Sequence, residues 1–165
     1  MFQIGDKVVY GIQGICVVSD LEQRVVDRKR LQYLVLEPIK KDGSRFLVPI
    51  QNEAAMAKLQ KLLTREELSA LLNGTAASCD CWIEDENARK QKYRELITHS
   101  DRRCLAAMVH ALYQHRSRQL SVGRKVHLCD ENFLRDAEKL LSSETAVVMD
   151  ISWDEALLLI RSKLK

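Results

Sequence analysis

Lys7-Val8-Val9-Tyr10-Gly11-Ile12-Gln13-Gly14-Ile15-Cys16-Val17-Val18 is the stretch on which the fold class turns. Two apolar runs rich in β-branched residues flank a pair of glycines, the pattern of strand, tight turn and strand. Working outward, Leu21 to Val26, Tyr33-Leu34-Val35-Leu36 and Phe46-Leu47-Val48 supply three more runs, so five short strands are expected. Lys41-Asp42-Gly43 is a hairpin signal of the Asp-Gly type, and Val25-Val26-Asp27-Arg28-Lys29-Arg30 reads as a polar hairpin tip. A sheet of so few residues hides its edges by curling, so a Tudor- or SH3-like small β-barrel is expected at the N-terminus.

The punctuation of the chain then changes. Gly5, Gly11, Gly14, Pro38, Gly43 and Pro49 all precede Ile50, whereas from Ile50 to Lys165 there are two glycines and no proline. Glycine and proline break helix interiors, so the remainder is expected to be helical. Asn52 can cap a short helix carrying Met56 and Leu59, and Thr64-Arg65-Glu66-Glu67 is a capping box ahead of Leu68, Leu71 and Leu72. Asn73-Gly74 ends that helix and Thr75-Ala76-Ala77-Ser78 reads as a linker. The expectation is an α+β protein of two domains: a barrel with trailing short helices over 1–73, a linker over 74–81, and an all-α helical bundle over 82–165.

Within the bundle, a helix from about Ile83 to Thr98 should bury Tyr93, Leu96 and Ile97. Asp101 caps a second helix with Cys104, Leu105, Met108, Val109 and Leu112 on one face. Ser121 and Asp130 are candidate caps for a third, carrying Val126, Cys129, Phe133, Ala137, Leu140 and Leu141. Ser152-Trp153-Asp154-Glu155 is a capping box opening the last helix, with Trp153 expected in the core.

The 165 residues are 46% hydrophobic and 30% charged, which excludes disorder and low-complexity classes. No apolar run approaches the ~18 residues of a membrane span, and Asp6 interrupts any signal-like core, so a cytoplasmic protein is expected. Five cysteines, odd in number and widely spaced, suit thiols better than bridges. Cys79-Asp80-Cys81 has no second ligand pair, the four histidines lack carboxylates at triad-like spacing, and no phosphate loop or nucleophile elbow is present. No metal, cofactor or small-molecule substrate is expected, and no enzymatic activity.

Net charge is only +3, but it is unevenly spread. Residues 79–88 carry net −4, and residues 129–165 net −3. Between them, residues 89–128 hold ten bases against two acids, net +8, an anion-binding candidate. Arg116 and Arg118 end one expected helix, while Arg124 and Lys125 begin the next across Leu120-Ser121-Val122-Gly123, an order that suits a phosphate. Trp82 is expected at a helix start, on nearly the face of Arg89 and Lys90. An apolar wedge flanked by cations is a device for the minor groove. No helix shows a base-reading face, so contacts independent of sequence are expected.

Phe2-Gln3-Ile4-Gly5-Asp6-Lys7-Val8-Val9-Tyr10 with Gly14, Tyr33-Leu34-Val35-Leu36 and Val48-Pro49 resembles the CarD family (CarD/CdnL) of bacterial transcription regulators that bind RNA polymerase. Trp82, Leu96 with Ser100-Asp101, Tyr113-Gln114-His115-Arg116 and Leu120-Ser121-Val122-Gly123-Arg124-Lys125 extend the likeness to about residue 145. The barrel motif is shared with transcription-repair coupling factors. The resemblance implies a barrel that docks on the polymerase β subunit and a helical domain that touches promoter DNA, through backbone and minor groove, at the upstream edge of the bubble. It assigns the polymerase contact to Arg24 and Val26, with Arg45 and Leu47 on an adjacent strand. It assigns the wedge to Trp82 and a phosphate contact to Lys125, beside Arg89, Lys90, Arg116, Arg118 and Arg124 from the cationic block. In this chain Ile83-Glu84-Asp85-Glu86 follows the tryptophan, where the family usually carries bases. Three rival readings stand beside it: an adaptor binding polypeptides with both domains, an enzyme using Cys79 or Cys81, and a barrel with another partner.

Overall fold

Val8, Cys16, Val18, Leu34, Leu36 and Val48, all from the runs that alternate in and out of a sheet, are withdrawn from solvent into one apolar cluster. The computed structural model that shows this describes residues 1–74, 81–99 and 101–165. It divides into two compact units, Met1–Leu62 and Leu63–Lys165.

In the first unit, β1 (Lys7–Tyr10), β2 (Ile15–Val26), β3 (Lys29–Pro38), β4 (Phe46–Pro49) and β5 (Leu59–Lys61) form an antiparallel sheet in the order β4-β3-β2-β1-β5. The runs expected as two strands at 15–18 and 21–26 are one long strand with a bulge between Val18 and Asp20. The fifth strand is Leu59–Lys61, paired with β1 and assigned from sequence to a helix. The helix there is only α1 (Glu53–Met56), capped as expected by Asn52, whose side chain accepts from the Ala55 N–H. Asp27 and Arg28 both take positive φ, 48° and 62°, the signature of a two-residue type I′ hairpin, with Val26 paired to Lys29. Lys41-Asp42-Gly43 lies instead in a wider loop, since the β3–β4 pairing begins only at Leu36 and Phe46.

The closed barrel is corrected: among the described residues no pairing joins β4 to β5, and the sheet is open. Phe2, Tyr10, Ala55 and Met56 pack against the apolar cluster.

The second unit holds α2 (Arg65–Gly74), α3 (Glu86–His99), α4 (Arg102–Ser121), α5 (Leu128–Met149) and α6 (Trp153–Leu164). Thr64 and Glu67 exchange the two bonds of a capping box, as Ser152 and Glu155 do before α6. Asp101 caps α4 through the Cys104 N–H. Leu68, Leu71 and Leu72 of α2 enter the helical core, so the division falls at Leu62 rather than after residue 73. Of the linker expected over 74–81, Gly74 belongs to α2 and residues 75–80 lie outside the described residues.

α5 organises this unit through three acids that its sequence presents as surface residues but its packing buries. Asp130 takes Arg89 of α3. Glu138 takes Arg161 of α6 and the Tyr113 hydroxyl of α4, and burial beside that carboxylate pushes the phenol well above its ordinary range. Glu144 takes Arg102 of α4 and the Leu63 N–H. Ser121 and Asp130 do not cap α5; it starts at Leu128 after His127, and Ser121 closes α4 with its hydroxyl on the Arg118 carbonyl. The stretch beyond residue 145 completes the core, with Ile160 and Leu164 fully buried. Trp153 does not: it is the first residue of α6 and 38% exposed.

Candidate functional site

In the sheet unit, β1 reaches only the first part of β2, ending with Val18 bonded to Gly5 and Asp6. Past the bulge, the side of β2 away from β3 carries no strand among the described residues. Ile50 donates to the Gln32 carbonyl, so Gln32 turns its main chain toward β4 and the Gln23–Gln32 pair is not bonded across the ladder. Gln23, and Val25 two residues on, therefore aim N–H and C=O out of the open edge.

Alternation gives this ribbon two faces. Glu22, Arg24 and Val26 share one with Leu47, whose partner Val35 lies on it. Glu22 there accepts from Arg24 at 2.8 and 3.1 Å and from Arg45 at 3.1 Å, while Arg45 approaches Glu37 at 3.5 Å. All four residues assigned to polymerase thus gather on one side of the sheet. Their ion pairs are exposed and worth about 0–1 kcal/mol each, so a partner's acids can replace Glu22 at little cost. The other face holds a groove of about 200 Å³ lined by Met1, Phe2, Leu21, Gln23, Ile50 and Met56. Sequence reasoning passed over it, although Leu21, Gln23 and Val25 alternate with Arg24.

In the helical unit, Trp82 precedes α3 by four positions, because Asp85 caps the helix and sets its start at Glu86. Helical periodicity therefore does not carry Trp82 to Arg89, yet tertiary packing does. The Arg89 guanidinium lies 4.4 Å from the centre of the indole, His115 of α4 stacks on it at 3.7 Å and 16°, and the indole N–H donates to Glu84 at 3.0 Å. Burial pushes the His115 imidazole below its ordinary value.

Arg89 is a correction to the cationic face. It is 3% exposed, forks onto both oxygens of Asp130 at 2.9 and 3.0 Å, and donates to the Ile83 and Glu84 carbonyls. It holds Trp82 and the α3 entry rather than a phosphate. Lys90 pairs with Glu86 one turn back, a bond that holds that carboxyl below its usual range, and Arg116 pairs with Glu131. Arg124 and Lys125 share a hollow of about 400 Å³ with Trp82, His115, Gln119 and His127, and Glu84, Glu86 and Arg89 line it too. Arg116 lines a different hollow, with Arg161 and Lys165, so the four cations of the turn do not converge on one point. Among the described residues, no cluster of His, Cys, Asp and Glu is arranged to hold a metal. No described helix is long and apolar enough to cross a membrane.

The open-edged sheet is the part that comparison recognises. Residues 2–62 match the family described as the CarD-like/TRCF RID domain, a protein-interaction domain of transcription factors rather than an enzyme class. The chain carries a CarD-like RNA-polymerase-interacting domain, and the match ends where the first compact unit ends. No curated protein matches the chain.

Proposed function

We propose that this protein is a transcription regulator that grips the β subunit of RNA polymerase with its sheet and steadies the promoter open complex through sequence-independent DNA contacts of its helical unit. The observation that carries the first half is the unpaired side of β2 within a matched polymerase-interacting domain. Main-chain groups of Gln23 and Val25 are available for strand addition, with Arg24, Val26, Arg45 and Leu47 choosing the partner. The sheet keeps the Tudor-like role even though it is not closed.

Support for the second half is electrostatic. Arg118, Arg124 and Lys125 make no ion pair among the described residues, and Trp82 stands beside two of them. Unstacking an intact duplex costs about a few kcal/mol, less where strands are already parting, so a binder of distorted DNA favours the open state.

The experiment follows the edge. Val25→Pro removes one outward N–H while leaving the β2–β3 ladder intact, a substitution that edge strands tolerate. Full-length Val25→Pro and Arg24→Glu should each lose about tenfold or more in affinity for the polymerase β subunit and shorten open-complex lifetime in a transcription assay. Wild-type binding by both variants refutes the proposal.

A further inference from the structure

Leu21-Glu22-Gln23-Arg24-Val25, on the part of β2 whose outer side carries no strand among the described residues, is complementary to itself. Set antiparallel against a second copy with Gln23 facing Gln23, it brings Glu22 to Arg24 twice over and Leu21 to Val25 at both ends. The main chain agrees with this register. Gln23 and Val25 aim their N–H and C=O groups outward, and so, two residues back, does Leu21, whose N–H donates to the Asp20 carboxylate at 2.7 Å. Leu21 with Val25 and Gln23 with Gln23 are then the hydrogen-bonded pairs of the joint. Glu22 and Arg24 fall at the positions between, where opposite residues come closest, Cα to Cα about 4.5 Å.

The side chains fit as the main chain does. Leu21 and Val25 are 49% and 70% exposed and lie on the face that holds the groove, so each covers the other across the joint. Glu22 and Arg24 lie on the opposite face, and their present bond, at 2.8 Å within one strand, is exposed and readily exchanged. Sliding the axis by one residue sets Arg24 against Arg24 or Glu22 against Glu22, and like charges directly opposite destabilise a sheet. Charge therefore selects the register centred on Gln23.

We propose that two copies of this chain close each other's open edge, β2 against β2, in a two-fold dimer centred on Gln23. The strand from Asp20 to Val26 is too short to bury the roughly 800 Å² per partner of a stable complex, so the dimer is weak and forms at high protein concentration. The edge it hides is the one assigned to polymerase. Self-pairing is therefore a storage form that polymerase competes away, a consequence that rests on the strand-addition half of the proposed function; the dimer itself rests on the edge alone.

Sedimentation of the full-length protein from about 1 µM to 1 mM is the test. Wild type should pass from monomer to dimer within that range. Glu22→Arg and Arg24→Glu each make both charge pairs repulsive, and each should weaken the dimer about tenfold or more. Mixed in equal amounts, these two variants should associate at wild-type strength, because each supplies the charges the other lacks; that rescue also shows both to be folded. Glu22→Arg/Arg24→Glu in one chain preserves both pairs and should dimerise as wild type does. Added polymerase β subunit should dissociate the wild-type dimer. A wild type that stays monomeric to the top of the range, or single variants that dimerise as it does, overturns the inference and leaves polymerase binding standing. A dimer that follows the charge pattern yet persists under saturating β subunit upholds the self-pairing and refutes polymerase docking at this edge.

Discussion

Asp130→Ala isolates the buried pair on which the Trp82 site rests. Arg89 and Asp130 are 3% and 1% exposed, and among the described residues the two bonds between them are the only charge-neutralising contacts the guanidinium has. Without the carboxylate, Arg89 keeps the Ile83 and Glu84 carbonyls, which satisfy hydrogens but do not cancel a charge. Breaking a buried pair by removing one partner costs about 3–5 kcal/mol. Against a domain stability of about 5–15 kcal/mol, that is a large share. Replacing both members by apolar residues of similar volume is often neutral, so Arg89→Met/Asp130→Leu should recover most of the loss. Urea denaturation followed by tryptophan emission reads the helical unit selectively, because both tryptophans, Trp82 and Trp153, belong to it. The pair is buried, so the cost should hardly change with salt. A loss below about 1 kcal/mol, or a double variant no better than the single one, would refute the account of Arg89 as a clamp.

Other outcomes follow from single groups. Burial, the largest influence on His115, lowers its folded value from 6.5, with Arg89 and His127 adding to it and Asp130 and Glu84 opposing. Its stabilising contribution is then present above that pH and lost as pH falls through the lower folded value; thermal melts should show wild type losing more stability than His115→Gln in that window. Arg124→Gln and Lys125→Gln should each lower the log–log salt slope of duplex binding by about 1, whereas Arg89→Met should leave it unchanged. The Cys16 thiol, buried in the sheet and pushed up to about 11 first by burial and then by the Asp42 charge, should resist maleimide at neutral pH until the sheet unfolds.

What could be read in the residues was what local physics dictates. Alternation located four of the five strands, the run Val25 to Arg30 held the hairpin tip that the structure narrows to Asp27-Arg28, and the capping boxes at Thr64 and Ser152 marked helix starts. β5 escaped because three residues carry no period and its strand identity comes from pairing with β1. Arg89 was read as a surface cation because its partner lies 41 positions away and no local signal announces a buried ion pair. The same is true of Glu138 and Glu144, which in sequence resemble any solvated helix face. Trp82 and Arg89 do meet, but by tertiary contact rather than along a helix.

The acids of α5 make that helix a keystone. Withdraw it and α3, α4 and α6 each lose a counter-charge at the same moment, leaving Arg89 and Arg102 buried without their carboxylates and the more exposed Arg161 without its own. A bundle wired in this way has no favourable half-assembled form. It should come apart as a whole, and a protease that opens one turn of α5 should find no resistant fragment of the helical unit behind it.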